Sequence, residues 1–288
     1  MKADTILVLG STGKTGRRVA QRLAARGIDV RHGSRLATPP FDWADRATWA
    51  PALDGVKAVY LTYFPDLAVT GAADDIEAFT RLAVQCGARR LVLLSGRGEP
   101  EAQRCEAIVR GSGVEWTLLR ASWFMQNFSE AHFLEPIRAG ELALPVGDIG
   151  EPFVDADDIA DAAATALTDD GHAGQLYELT GPRLLTFGDA VSEIARASGR
   201  VVRFTRVPLD AYVAALEQAQ LPPDMIGLIR YLFSEVLDGR NASVQDGVLR
   251  ALGRPPRDFR DYARAAAATG VWTSAGPASM DRLPEMRA

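Results

Sequence analysis

The sequence predicts an α/β fold, a doubly wound parallel sheet with a smaller, mostly helical lobe towards the C-terminus. Three observations predict it. The chain opens on an apolar run, Ile6 to Leu9, with no polar residue inside it, as a strand covered on both faces requires. Glycines follow at three-residue spacing, Gly10, Gly13 and Gly16, directly before a helical stretch over 17–26. Strand-like runs at 28–32, 58–61, 91–94 and 116–119 then alternate with helical ones, the rhythm of a parallel sheet covered on both sides.

The segment Gly10-Ser11-Thr12-Gly13-Lys14-Thr15-Gly16 is the first element with chemical content. Backbone without Cβ atoms can turn tightly after the strand, approach a pyrophosphate and let the helix pack on the strand. The helix start then offers free N–H groups to the anion. The same letters contain Gly13-Lys14-Thr15, which suggests nucleoside-triphosphate hydrolysis. That motif needs a glycine five residues before Gly13, and the position holds Val8. The loop therefore reads as a dinucleotide site, the Rossmann arrangement.

The next elements follow in order. Residues 72–86 place Ile76, Phe79, Leu82 and Ala83 at helical spacing, and 101–110 is a second helix. Beyond Ser122 the rhythm changes. A helix-like stretch over 124–138 leads to a turn-rich segment, 140–152. A helix near Asp157 is capped by the acidic cluster Asp155, Asp157 and Asp158, and 176–179 is one more strand. Thr186-Phe187-Gly188-Asp189 has the form of a capping box opening a helix to Ala197. Further helices are expected within 209–218, 224–237, 243–252 and 259–268, and the last dozen residues as a loose tail. The expected division is a nucleotide-binding domain over 1–155, to which 156–180 add a helix and a strand, and a substrate lobe over 181–288.

Composition bounds the function. At 288 residues, 47% hydrophobic and 24% charged, the chain suits one soluble globular unit. Net charge is −5 and no basic run exceeds two residues, so no nucleic-acid partner is expected. No apolar stretch approaches membrane-spanning length and the first strand begins at once, so a cytoplasmic location without membrane contact is expected. Cys86 and Cys105 lack metal or redox spacing, and His32, His132 and His172 are dispersed, so no metal site is expected. Lysine occurs only at positions 2, 14 and 57.

Loops after the strands should converge on one crevice. At the end of the second strand stand Ser34 and Arg35, with no acidic residue between Asp29 and Asp42. An arginine there pairs with a 2′-phosphate, where an acid would repel it, so NADP(H) is favoured over NAD(H). Asp42 is expected where a third strand ends, as an adenine ligand or a plain turn residue. Thr62 and Ser95 end later strands beside the cofactor. Tyr63, Ser95 and Trp123 are candidates for catalysis, although no catalytic residue is assigned. Tyr63, Trp123, Phe124, Met125 and Asn127 are candidates for a flat apolar substrate pocket. Glu106 is either a proton relay or, more plainly, a solvated helix carboxylate. A tyrosine with a lysine four residues later, the usual proton-donating pair, is ruled out because no lysine follows Lys57.

Taken together these residues resemble the NmrA-like branch of atypical short-chain dehydrogenases, and within it the ergot-alkaloid iminium reductases. The matching stretches are Gly10–Gly16, Phe41-Asp42-Trp43 with Thr48-Trp49, Val59-Tyr60-Leu61, and Leu119-Arg120 with Trp123-Phe124-Met125 and Asn127. Pro152-Phe153 with Ala156-Asp157-Asp158-Ile159-Ala160, Gly181-Pro182 and Leu221-Pro222-Pro223-Asp224 complete them. The resemblance implies a Rossmann domain, a small C-terminal substrate lobe and no Tyr–Lys pair. Some members of the branch use a lysine near Ala102 or Gln103, which this chain lacks. Two functions fit: an NADPH-dependent reductase of a flat conjugated acceptor (iminium, enone or quinone), or a sensor of the NADP(H) state without turnover. An aromatic or conjugated small molecule is the expected partner, and the chain is expected as a monomer or homodimer.

Overall fold

A computed structural model describes residues 5–273. Lys2 and the whole of the expected C-terminal tail lie outside the described residues. Six parallel strands form the main sheet: β1 (Thr5–Leu9), β2 (Val30–Gly33), β3 (Val56–Leu61), β4 (Arg90–Gly96), β5 (Glu115–Ala121) and, later in the chain, β7 (Gln175–Leu179). Their order is β2-β1-β3-β4-β5-β7. The winding reverses between β1 and β3, so the ends of these two strands open the crevice where a doubly wound sheet takes its ligand.

Both faces of the sheet are covered, which explains the unbroken apolar runs. On one face α1 (Gly16–Ala25) and α7 (Ala156–Thr168) pack with Ile6, Val8, Tyr60, Val92 and Leu119. On the other, α2 (Trp49–Leu53), α3 (Ala72–Gln85) and α4 (Pro100–Arg110) pack with Leu7, Leu9, Val59, Leu93 and Leu118. The alternation of odd and even positions between the two clusters is the strand period of two. Cys105 is buried in the second cluster and Cys86 packs against it, both as free thiols.

A third apolar cluster is the lobe. It draws on α5 (Asn127–Glu130), α6 (Leu134–Ala139), β6 (Glu141–Leu144), α8 (Phe187–Ser198), β8 (Arg203–Arg206) and α12 (Phe259–Ala268). Also here are α9 (Leu209–Gln218) and α10 (Pro223–Tyr231), the latter running into a wider turn at Leu232–Val236. α11 (Gly247–Leu252) returns to the sheet layer, where Val248 and Ala251 join the α7 side. A Cβ on Gly247 would meet Glu178 O at 2.1 Å, so only glycine lets α11 lie this close to β7. Lobe and sheet are thus interleaved along the chain.

Three expectations are corrected here. No strand precedes Asp42: Pro39 and Pro40 remove two donors, and the Asp42 carboxylate instead accepts from Ala44 N at 3.0 Å in a local turn. The stretch 124–138 is two short helices, because Ala131 is extended (φ −144°) and Trp123 and Met125 bond Val154. Within 140–152, residues Glu141–Leu144 form β6, paired in parallel with β8. These strands have four residues each and are half polar, so their pattern was too short to see. The capping box at Thr186 and the Asp155 cap are formed as expected.

Candidate active site

The glycine loop leaves β1 at Gly10, whose φ of 59° suits glycine. A Cβ on Gly16 would lie 2.2 Å from Gly10 O and 2.9 Å from Leu9 O, both backbone atoms that cannot rotate aside. Gly16 therefore sets how closely α1 seats on β1. The first turn of α1 holds no acidic side chain and its cap residue Thr15 makes no capping bond, leaving the helix start for an anion. Ser11 Oγ is buried beside this turn and has no partner. An orphaned hydroxyl in a glycine cradle at a helix start fits a phosphate oxygen. Burial lowers the pKa of Lys14, and Arg17 and Arg18 lower it further, against a raising effect of Glu130. Glu130, from α5, holds Arg17 at 2.5 Å and Arg18 at 2.6 Å. The lobe thereby ties itself to the cofactor loop, a link that spacing along the sequence does not reveal.

β2 ends at Gly33, where a Cβ would strike Leu9 Cδ2 at 2.6 Å. Ser34 O then accepts from Ala37 and Phe41, turning the chain so that exposed Arg35 stands at the strand end. Thr62 lies across the crevice, its Oγ1 3.4 Å from where a Gly10 Cβ would be, and its carbonyl accepts from Trp43 Nε1 at 3.1 Å. Asp42 is held in its turn by Thr48 and Trp49.

Among the catalytic candidates, Tyr63 donates to Asp75 at 2.7 Å and its ring packs 4.8 Å from Trp43. Burial raises its pKa, and the Asp75 carboxylate raises it further. Ser95 and Glu106 require a correction. Glu106 is 2% exposed, not solvated, and accepts from Ser95 Oγ at 2.7 Å and from Arg120 at 2.9 and 2.5 Å. Register explains the meeting: Ser95 faces Arg120 across β4–β5, and Arg120 faces Glu178 across β5–β7. Arg120 also bonds Glu178 at 2.8 Å, and Arg97 adds a contact to Glu178 at 3.4 Å. Ser95 is thus fastened into a buried charge network at the sheet edge.

The stretch after β5 divides. Trp123 is half-buried and borders Phe133, Phe187 and Phe233, with ring centroids 6.5, 5.6 and 5.6 Å away. Met125 is buried in the same lobe cluster, whereas Phe124 packs against the α1–α7 core and Asn127 begins α5. One aromatic wall therefore forms around Trp123, from rings far apart in sequence. Beneath it Glu151, 1% exposed, accepts from Trp123 N at 3.2 Å. Burial pushes its carboxyl up to about 7, opposed by the Trp123 amide and Arg97. Arg97, 6% exposed, donates to Ser122, Asn241 O and Ser243 and so fastens the lobe to the β4 end. Neither Arg97 nor Glu151 stands out in sequence, because their partners are long-range.

The glycine loop at the switch point of a parallel sheet defines the class, an NAD(P)-binding protein of Rossmann type. No family model matches the chain. It is 34% identical to the oxidoreductase YesF of Bacillus subtilis over 287 residues, covering 95% of this chain and 99% of that one. It is 36% identical to the (4-alkanoyl-5-oxo-2,5-dihydrofuran-3-yl)methyl phosphate reductase of Streptomyces griseus over 279 residues, 89% and 96% of the two chains. Agroclavine dehydrogenase of Claviceps fusiformis is 29% identical over 276 residues, 90% and 96%. The triphenylmethane reductase of Citrobacter sp., solved with NADP(H), shares the fold at a TM-score of 0.71 and 20% identity, over 91% and 99%. The chain belongs to the NmrA-like atypical short-chain dehydrogenase/reductase family and is an oxidoreductase. Among the described residues no helix is long and apolar enough to cross a membrane.

Proposed function

We propose that this protein is an NADPH-dependent reductase that passes hydride to a flat, conjugated small molecule, an iminium, enone or quinone. The observation that carries this reading is Trp123. It stands at the carboxyl end of β5, half-buried, with an aromatic wall behind it, on the sheet edge where the glycine loop opens. Flat apolar walls select planar, delocalised partners. The Streptomyces relative is named for reducing a butenolide phosphate and the Claviceps relative for a clavine, which supports the same class.

When bound, the cofactor supplies hydride. The chain's own residues bind and orient it: the α1 start, Ser11 Oγ and Lys14 take phosphate, and Thr62 borders the loop. Arg35, exposed at the β2 end and in none of the ion pairs found among the described residues, pairs with a 2′-phosphate and selects NADPH over NADH. No lysine follows Lys57, so the familiar Tyr–Lys donor plays no part. An iminium needs no proton when hydride arrives, whereas an enone or quinone oxygen does.

The test is to titrate the purified protein with NADPH and NADH, then offer one acceptor of each class. The expected result is tighter binding of NADPH and its oxidation by at least one class. Binding without oxidation by any of the three overturns the reductase reading, and equal affinity overturns the role of Arg35.

A further inference from the structure

The lysine-free remainder of the chain leaves open which group protonates an oxygen. The loop after β4 answers it. Gly96-Arg97-Gly98-Glu99 doubles back on itself at the crevice. A Cβ on Gly96 would lie 2.2 Å from Glu99 Oε1, so the Glu99 carboxyl rests directly on the Gly96 Cα at the end of β4. Gly98 takes a φ of 76°, and a Cβ there would strike Asn241 Nδ2 at 2.4 Å. Asn241 donates to Arg97 O at 3.1 Å and pins the bend. The bend is built at two glycines and clamped from the lobe, and its result is a glutamate only 7% exposed.

Facing Glu99 from the loop after β3 is Asp66, within hydrogen-bonding reach of it and otherwise accepting from Ala68 N at 2.8 Å. Tyr231, at the end of α10, faces the pair from the lobe; its ionisation is opposed by burial first and then by Glu99, Asp66 and Glu235, and favoured by Arg240, which itself pairs with Asp238 at 2.7 Å. Arg97, the cation nearest in sequence, turns away to Ser122, Ser243 and Glu178. Neither carboxyl takes part in any ion pair found among the described residues. Glu99 is buried and Asp66 half-buried beside it, and with no ion-pair partner among the described residues a charge on either opposes a charge on the other, so one keeps its proton at neutral pH. Burial and the neighbouring Asp66 charge raise Glu99 well above the ordinary carboxylate range, which puts the proton there. Burying such a pair costs stability without a structural gain in return, and it sits between the ends of β3 and β4 and the lobe.

We propose that Glu99, sharing one proton with Asp66, is the proton donor for carbonyl-conjugated acceptors, a role that rests on the reductase reading above. Hydride adds at the carbon end of the conjugated system and its electron pair moves to oxygen. The new O–H bond forms as the Glu99 O–H bond breaks, leaving the pair in its disfavoured doubly ionised state, which takes a proton back from solvent. An iminium acceptor bypasses the pair, because its nitrogen simply receives the electron pair.

The test has two arms. In the cofactor-free protein labelled with 13C at glutamate Cδ, Glu99→Gln assigns the Glu99 resonance by removing it. That resonance is expected to stay in its protonated position at pH 7, and in Asp66→Asn its titration midpoint is expected to fall toward the ordinary glutamate value of about 4.3. Ordinary titration in the wild type overturns the proposal whatever the enzyme turns over. In the second arm, single-turnover rates with NADPH are compared for a quinone and an N-alkyl iminium salt, with circular dichroism confirming each variant's fold. Glu99→Gln is expected to slow the quinone on the order of 100-fold, and to slow the iminium far less. The wild-type quinone rate should also fall as pH rises, and that dependence should vanish in Glu99→Gln. Equal losses for both acceptors overturn the donor role and leave Glu99 a structural group. If wild-type protein oxidises NADPH with neither acceptor, the reductase reading fails, while the carboxyl titration still decides the shared proton.

Discussion

Removing the Glu106 carboxylate should be among the most damaging single changes at the sheet edge, and its size can be worked out. Glu106 is 2% exposed and makes three hydrogen bonds, one from Ser95 and two from Arg120. Glu106→Ala strands a guanidinium whose side chain is 17% exposed and a serine hydroxyl in a residue 4% exposed. Breaking a buried pair from one side costs about 3–5 kcal/mol, because the remaining charge has lost its partner. Arg120 keeps Glu178 at 2.8 Å, which favours the lower end, about 3 kcal/mol. Removing both charges is another matter. Glu106→Leu with Arg120→Met leaves no orphaned ion there, and Glu178 retains Arg97, so the double variant should recover all but about 1 kcal/mol. Urea denaturation followed by circular dichroism measures both, with unchanged slopes showing that the two-state treatment holds. A loss below about 1 kcal/mol for Glu106→Ala, or a double variant as unstable as the single, would refute the reasoning.

Further predictions concern the loop, the cofactor and pH. Gly16→Ala should abolish dinucleotide binding, since its methyl meets Gly10 O at 2.2 Å, whereas Gly13→Ala, at 3.2 Å from the same atom, should weaken binding far less; isothermal titration distinguishes them. Arg35→Ala should weaken NADPH about ten- to hundredfold and leave NADH nearly unchanged, as loss of a charge-assisted bond to phosphate predicts. Burial raises the Glu151 carboxyl to about 7 from an ordinary 4.5, so the folded state binds its proton more tightly than the unfolded state. That contribution is full below pH 4.5 and is lost as pH rises towards 7, on the order of 3 kcal/mol in all. Glu151→Gln should flatten this part of the stability profile, read by denaturant titration at a series of pH values.

How much of this was legible in the sequence differs by element, for physical reasons. The sheet was, because strands covered on both faces must be apolar throughout, as 6–9 and 91–94 are. The glycine loop was, because Gly16 has no substitute against Gly10 O. The capping box was, because its two residues bond each other locally. The small sheet of β6 and β8 was not, since each strand has only four residues and its partner lies some sixty positions away. Nor was the fate of Ser95 and Glu106. Helical spacing puts Glu106 on α4 but is silent about Arg120, which only strand register brings beneath it. Trp123 was legible as an aromatic at a strand end, while its wall of Phe133, Phe187 and Phe233 comes from three other segments. Asp66 and Glu99 gave no sequence signal, because a carboxyl becomes unusual only when folding removes its water and sets another beside it.

The proposed transfer of hydride from NADPH to a conjugated acceptor is tested most directly by isotope transfer. The protein is incubated with NADPH deuterated at C4, in separate samples for each face, together with a quinone, an α,β-unsaturated lactone and an N-alkyl iminium salt. Mass spectrometry then reads the products. Deuterium is expected in the lactone or iminium product from one face only, with NADPH consumed in equal amount. Bound NADPH that stays reduced in the presence of all three acceptors, or label arriving equally from both faces, would contradict it.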